Sequence, residues 1–359
     1  MAGPYLERTE RILRGCSDGV KMAKASTTVA EAENVTIRAA ECTLTVLPQF
    51  GGKIASIRIG ETELLQKPLA SIALRTQAMA FDESDASGWD ECLPSVAACT
   101  VETVAGESEV PDHGDVWRIE WKKQGSGIGE QGLESNGKGH ASLTLIGECF
   151  SLPLELKRRI ELIETSAGWR LNVNYQVNNT GDYSVPWSWA AHPLFAVEEG
   201  DRIVLPKSIR SLRLEGSGGA RLGNGGDTVA WPVATLANGD TTDLSVAGDP
   251  DSGIGDKLFA GPLSTVQDWC VLERAVGLRI RVRFDATATP YLGLWLCYGG
   301  WPHKAGKKQM CVAMEPATAP VDSLAETGPW SRVLAPGASF SWPMEIEIER
   351  MREMPNACP

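Results

Sequence analysis

The sequence predicts an all-β protein, a large antiparallel β-sandwich with few short helices. Three observations predict it. Apolar and polar residues alternate with a period of two over several stretches, the pattern of strands buried on one side. After residue 35 no amphipathic pattern of helical period and ordinary length occurs. Glycine and proline, 37 and 21 of 359 residues, punctuate the chain at short intervals, as a succession of strands and turns requires.

Residues 4–14 have the composition of a short helix stopped by Gly15. Residues 16–34, rich in Ala, Ser and Thr, read as a linker, so 1–34 is an N-terminal extension. From Val35 onward the reading is β. Strands are expected at 43–47, 53–59, 142–146 and 154–162, each bounded by turn residues. Trp169, Leu171, Val173, Tyr175 and Val177 alternate with Arg170, Asn172, Asn174, Gln176 and Asn178. Ile280, Val282 and Phe284 alternate with Arg279, Arg281 and Arg283, and Met344, Ile346 and Ile348 with Glu345, Glu347 and Glu349. Each is a half-buried antiparallel strand. Two glycine-rich stretches, 125–139 and 216–226, read as surface loops between strands. No Pro/Ser-rich linker divides residues 35–350, which are therefore expected to form one large sandwich domain, with 351–359 a C-terminal tail.

A hydrophobic share of 43% with 22% charged residues is globular and supports a sizeable core without disulfides or structural metals. The net charge of −12 repels phosphate backbones and anionic lipid, so neither nucleic acid nor a membrane surface is an expected partner. The longest uncharged runs, 184–197 and 289–302, contain proline and are too short to span a bilayer. Nine cysteines include no CxxC pair and sit singly in apolar contexts, as buried reduced thiols do. The N-terminus is charged and unlike a secretory signal, and a soluble cytoplasmic protein is expected.

Two motif matches carry little. Gly127, Gly129 and Gly132 fit GxGxxG, but Gly, Ser and Asn follow where a dinucleotide site needs a helix N-terminus. His113, His140, His192 and His303 have neither HxH nor HExxH spacing, which disfavours zinc. No cofactor or metal is expected.

One constellation does look chemical. His192 and Glu315 each precede a proline, which biases both toward extended backbone at or near a strand end. By alternation His192 shares a face with Ser188 and Ala190, and Glu315 with Cys311 and Ala313. Each titratable group thus stands behind small residues, leaving room for a ligand. A carboxylate and an imidazole on facing strands make a base and an acid. Tyr291 and Trp295 alternate with Leu292, Leu294 and Leu296; if the leucines are core, both aromatics face the same cleft and suit the C–H face of a sugar ring.

At these residues the sequence resembles the galactose mutarotase-like (aldose 1-epimerase) family. The carrying segments are Gly88-Trp89-Asp90-Glu91-Cys92-Leu93-Pro94-Ser95, Pro111-Asp112-His113-Gly114, Ala191-His192-Pro193-Leu194-Phe195, and the run from Met314-Glu315-Pro316 to Asp322. They occur in the family's order and cover most of the chain from about residue 35. The resemblance implies a large β-sandwich, the "supersandwich". It implies His192 as general acid, Glu315 as general base and His113 as a sugar contact. It also implies Arg75 as a substrate-binding arginine and Asp256 as a holder of sugar hydroxyls. Asp90 and Glu91, in a segment that lies near the cleft in related proteins, are either sugar contacts or a solvated turn after Trp89. The segment around His113 departs from the longer Gly/Asn-rich one of the galactose enzymes, which leaves the sugar open. Lys304, Lys307 and Lys308 read as a solvated run rather than a phosphate site.

The expected function is interconversion of aldose anomers by acid/base ring opening, with an ionised Glu315 and a protonated His192 at working pH. The alternatives are a carbohydrate-binding or sensing protein without catalysis, and a glycoside hydrolase or lyase. The last needs a second carboxylate, Asp90 or Glu91, to reach Glu315.

Overall fold

A computed structural model describes residues 34–124, 133–135, 141–264, 268–303 and 306–351. The N-terminal helix and linker up to residue 33, the GxGxxG match, His140, Lys304 and the tail from residue 352 lie outside the described residues. Among the described residues every helical piece is a single 3-10 turn, such as Phe81–Glu83 and Val116–Arg118. No helix there is long and apolar enough to cross a membrane.

Two antiparallel sheets make the body of the protein. The first has eleven strands. Its middle runs Lys53–Ile59, Trp89–Cys92, Ala190–Ala196, Met310–Ala317, Tyr291–Tyr298, Ile254–Ala260, in that spatial order. The second has nine, centred on Leu278–Phe284, Ser339–Arg350, Gly168–Asn179 and Leu154–Thr165. Burial along Gly168–Asn179 and Leu278–Phe284 alternates as the sequence predicts, because only one face of this sheet meets the core. Its other face is wet and laced with cross-strand ion pairs. Arg281 and Arg283 both reach Glu347 at 3.0 Å, and Arg279 pairs with Glu273 at 2.8 Å.

The expected strands all form, several longer than read: 43–47 is Cys42–Leu47, 142–146 is Ala141–Glu148 and 154–162 is Leu154–Thr165. The stretch 125–139 is not loop throughout. Leu133–Ser135 pairs with Ala141–Glu148, a three-residue edge strand too short to show as alternation. In 216–226 the strand Ser211–Ser217 ends before a 3-10 turn, Gly218–Ala220.

The core lies between the sheets. Ile57, Leu258, Leu294 and Met314 of the first pack with Leu156, Val173, Ile280 and Ile346 of the second. One polar knot interrupts it. Glu91 accepts hydrogen bonds from Arg158 Nη1 (2.9 Å), Tyr175 Oη (2.8 Å) and Trp189 Nε1 (3.0 Å), and all four residues are buried. Arg158 also donates to the Gly52 carbonyl and lies 4.9 Å from the Trp121 ring centroid. Asp90 and Glu91 are therefore not a solvated turn. Trp89–Cys92 is a fully buried strand, with Glu91 inside the core and Asp90 on the opposite face.

Candidate functional site

The site lies on the outer face of the eleven-stranded sheet. Ala190 is paired with Ala317 and Leu194 with Ala313, so His192 and Glu315 stand opposite one another across two hydrogen-bonded strands. The same row continues through Gly293 and Phe259 on one side and Asp90 on the other. Ser188 and Thr318 hydroxyls meet at 3.1 Å, and the Trp189 amide donates to Thr318 Oγ1 at 2.8 Å, fastening the ends of the two strands. His192 Nε2 is 3.8 Å from Glu315 Oε1, beyond hydrogen-bond length. Gly293 makes room for the carboxylate: a Cβ there would lie 2.9 Å from Glu315 Oε2.

In front of this row is an open cleft of about 180 Å³, lined on its aromatic side by Phe81, His113, Trp295 and Trp301 and on its polar side by His192, Lys257, Gln309, Asp112 and Asp322. The His113 and Phe81 rings are stacked, with centroids 3.6 Å apart and planes 6° from parallel. The two imidazoles of His113 and His192 meet edge to face at 5.2 Å. His113 owes its position to a tight turn. Both it and Gly114 have left-handed backbone, φ 60° and 68°, and a Cβ at Gly114 would strike the Leu93 carbonyl at 2.2 Å. Arg118 fastens this turn to the Phe81 loop by donating to the carbonyls of Asp112 (2.8 Å), Gly114 (2.6 Å) and Met79 (2.8 Å). Trp295 is held by its Nε1, which donates to Gln309 Oε1 at 3.0 Å.

Of the residues the sequence singles out, His192, His113 and Trp295 line the cleft, and Glu315 lies beneath it, fully buried. Four others are placed elsewhere. Asp256 has the strand parity of Leu258 and Ala260, whose side chains enter the core, and its carboxylate is taken by Arg221 (2.9 Å) and Ser217 (2.7 Å). Arg75 is buried against Asp85 at 2.7 Å and over the Trp117 ring. Asp90 binds Lys53 at 2.6 Å, and Lys53 is also 3.3 Å from Asp85. Arg75, Asp85, Lys53 and Asp90 thus form one buried charge chain that reaches the strand beside His192, and they are not among the residues lining the cleft. Tyr291 packs with Cys92, Val96 and Phe259 in a small cluster rather than on the cleft.

Two charged residues escape the sequence reading. Lys257, next to Asp256 but of opposite parity, extends into the cleft, forms an ion pair with Glu315 Oε2 and comes within 3.7 Å of Asp322 Oδ1. Asp322 is held by its carbonyl, which accepts from the Val96 and Ala97 amides at 2.9 and 2.8 Å. Alternation from Trp295, which faces Lys257 in register, was the available signal for Lys257.

The charge pattern differs from the expected one. Burial pushes the His192 imidazole well below its ordinary range, and His113, Lys257 and Lys53 push it the same way, so it is neutral at neutral pH. Glu315, 3.8 Å from the imidazole, is paired with Lys257. Burial works against the Lys257 ammonium, yet Asp322 and Glu315 outweigh it and hold it above the ordinary lysine range. Burial raises Asp322 to about 6, with Lys257 opposing the rise and Glu315 and Glu215 adding to it. Glu315 Oε1 accepts no hydrogen bond among the described residues. No group of three or more His, Cys, Asp or Glu among the described residues is arranged to hold a metal ion.

No protein-family model matches the chain, and no curated protein matches it by sequence. Solved structures do. The Slr1438 protein from Synechocystis is 16% identical with a TM-score of 0.63, covering 92% of this chain and all of its own. A galactose mutarotase-like protein from Lactobacillus casei is 16% identical with a TM-score of 0.60, covering 88% of this chain and all of its own. Another from Clostridium acetobutylicum is 15% identical with a TM-score of 0.59, covering 90% of this chain and 96% of its own. At such identity the likeness speaks for architecture, and the chain has the galactose mutarotase-like fold.

Proposed function

We propose that the protein interconverts the α and β anomers of an aldose. The observation that carries the reading is the Glu315–His192 pair, 3.8 Å apart on adjacent strands beneath an aromatic-walled cleft. Phe81, His113, Trp295 and Trp301 offer flat faces to the C–H side of a sugar ring, while Gln309, Asp112 and Asp322 meet its hydroxyls. Glu315 takes the proton of the C1 hydroxyl. His192, at the position that the family resemblance assigns to the general acid, gives O5 a proton from its imidazolium, the minority form at neutral pH, and takes it back on reclosure. The C1–O5 bond opens to the free aldehyde, C1–C2 rotates, and reclosure on the other face of C1 gives the other anomer.

A second reading has its own observation. Glu315 is covered by Lys257 and has no surface on the cleft, which suits a protein that binds a sugar without turning it over. NMR exchange spectroscopy on D-glucose and D-galactose, with wild type and Glu315→Gln, separates the two. The proposal expects acceleration in wild type and at least a 100-fold loss in the folded variant, as removal of an acid–base group gives. Sugar affinity that survives Glu315→Gln without acceleration in either protein would establish the binding module instead. The glycosidase reading loses its partners, since Asp90 is bound to Lys53 and Glu91 to Arg158 in the core.

A further inference from the structure

The aromatic side of the cleft comes from separate parts of the chain. Trp295 stands on an inner strand, and Phe81 on the connection that leads to Trp89–Cys92. Flat faces that grip one ring have to keep a fixed spacing, and side chains keep it only when other groups lock them. We infer that Gln309 is the positioning residue that sets this spacing, a strut that ties Trp295 to the Phe81 connection and so governs how tightly the cleft holds its sugar. In naming a sugar, the inference rests on the anomer-exchange reading above.

A continuous hydrogen-bonded path joins the two aromatics. Trp295 Nε1 donates to Gln309 Oε1 at 3.0 Å, and Gln309 Nε2 donates to the Ala86 carbonyl at 3.1 Å. The Ala86 amide donates to Ser84 Oγ at 3.1 Å, and Ser84 Oγ donates to the Phe81 carbonyl at 2.6 Å. Gln309, Ala86, Ser84 and Phe81 are all buried. Ala86 has left-handed backbone, φ 46°, which alanine keeps only where its surroundings hold it. Phe81 in turn stacks on His113 and meets the His192 ring edge to face at 5.6 Å, so the path ends at both imidazoles of the cleft.

The position calls for a carboxamide. Its side chain has to accept from an indole N–H, which only donates, and donate to a backbone carbonyl, which only accepts. The main chain of Gln309 is fixed independently. Its amide donates to the Trp301 carbonyl at 2.8 Å, and its carbonyl accepts from the Gly299 amide at 2.9 Å. Loss of the polar side-chain atoms therefore leaves the course of the chain in place. Glu315 and His192 are set by the pairing of Ala190–Ala196 with Met310–Ala317, on which the strut does not bear. A loosened strut should act on the hold over the sugar and not on proton transfer.

Gln309→Met, of similar length, removes both side-chain hydrogen bonds. It is expected to fold, to raise KM for D-glucose or D-galactose about 5-fold or more, and to keep kcat within about threefold. Ser84→Ala cuts the path at its other end. It should raise KM in the native background and add nothing in Gln309→Met, as two links of one path do. A Gln309→Met KM equal to that of wild type, or effects of the two substitutions that simply add, would overturn the inference. The NMR signal of the Trp295 Nε1 proton, identified by its loss in Trp295→Phe, decides without any sugar and without a Gln309 variant. Ser84→Ala should move it, and an unmoved signal would overturn the inference even if Gln309→Met failed to fold. If wild type accelerates neither sugar while Ser84→Ala moves the signal, the anomer-exchange reading is refuted and the strut stands.

Discussion

Replacing Arg158 with methionine removes the one cation from the polar knot between the sheets and should make stability depend on pH in a calculable way. In the native protein burial lifts the Glu91 carboxyl from 4.5 to about 7, although Arg158, Tyr175 and Trp189 all pull it down. The folded value lies above the unfolded one, so the folded state holds the proton more tightly. This group's contribution therefore falls as pH rises from about 4.5 to 7 and is level beyond. At about 1.4 kcal/mol per pH unit, the fall is about 3 kcal/mol. Without Arg158 the folded value moves higher, so the decline continues past pH 7 at about 1.4 kcal/mol per unit. To this is added a pH-independent loss of about 1–3 kcal/mol, from the orphaned Gly52 carbonyl and the bared Trp121 ring. At pH 8 the variant should be less stable by about 2.5–4.5 kcal/mol, which overlaps the range for breaking a buried pair. Urea denaturation at pH 5, 7 and 8 reads this directly. Arg158→Met/Glu91→Leu, which removes both charges, should abolish the extra slope. Parallel stability curves for wild type and Arg158→Met between pH 7 and 8 would refute the reasoning.

Two further substitutions bear on the cleft. Gly293→Ala places a Cβ 2.9 Å from Glu315 Oε2 and 3.1 Å from the Phe259 ring, so the carboxylate has to leave its register with His192. It should cost about 1–3 kcal/mol of stability as overpacking and lower kcat well out of proportion to its effect on folding. Unchanged kcat would mean that the position of Glu315 does not matter. Phe81→Ala removes the stacked partner of His113 and a ring 5.6 Å from that of His192. A loss of about 3 kcal/mol in urea melts and a severalfold rise in KM for the sugar are expected, and a KM equal to wild type would remove Phe81 from the binding wall.

The sandwich was legible because its second sheet is half wet. Trp169 to Val177 and Leu278 to Phe284 carry a period-two pattern that only a one-sided strand produces. The middle of the first sheet is buried on both faces, so Trp89–Cys92 and Met310–Ala317 read as apolar or mixed runs, and Asp90 and Glu91 could be mistaken for a turn. His192 and Glu315 were legible through the two X-Pro steps and their small neighbours. Asp256 came from the resemblance alone. On Ile254–Ala260 it lies on the face away from the cleft, one residue from Lys257, and with a period of two one residue exchanges core for site. The neutral state of His192 had no sequence signal, because it comes first from burial and then from His113, Lys257 and Lys53, which converge on it from three distant segments.

His192, Glu315, Lys257 and Trp295 stand on adjoining inner strands, each hydrogen-bonded on both sides. Phe81, Asp112, His113 and Trp301 stand on connections between strands. The fold thereby separates two inheritances that in many proteins share the same residues. The connecting segments can be rewritten as a set, by evolution or in a library confined to 79–83, 111–113 and 301–303, while the ladder keeps the backbones of His192, Glu315 and Lys257 where they are. On the function proposed above, such a library would test how far the walls of the cleft choose the sugar independently of the Glu315–His192 pair.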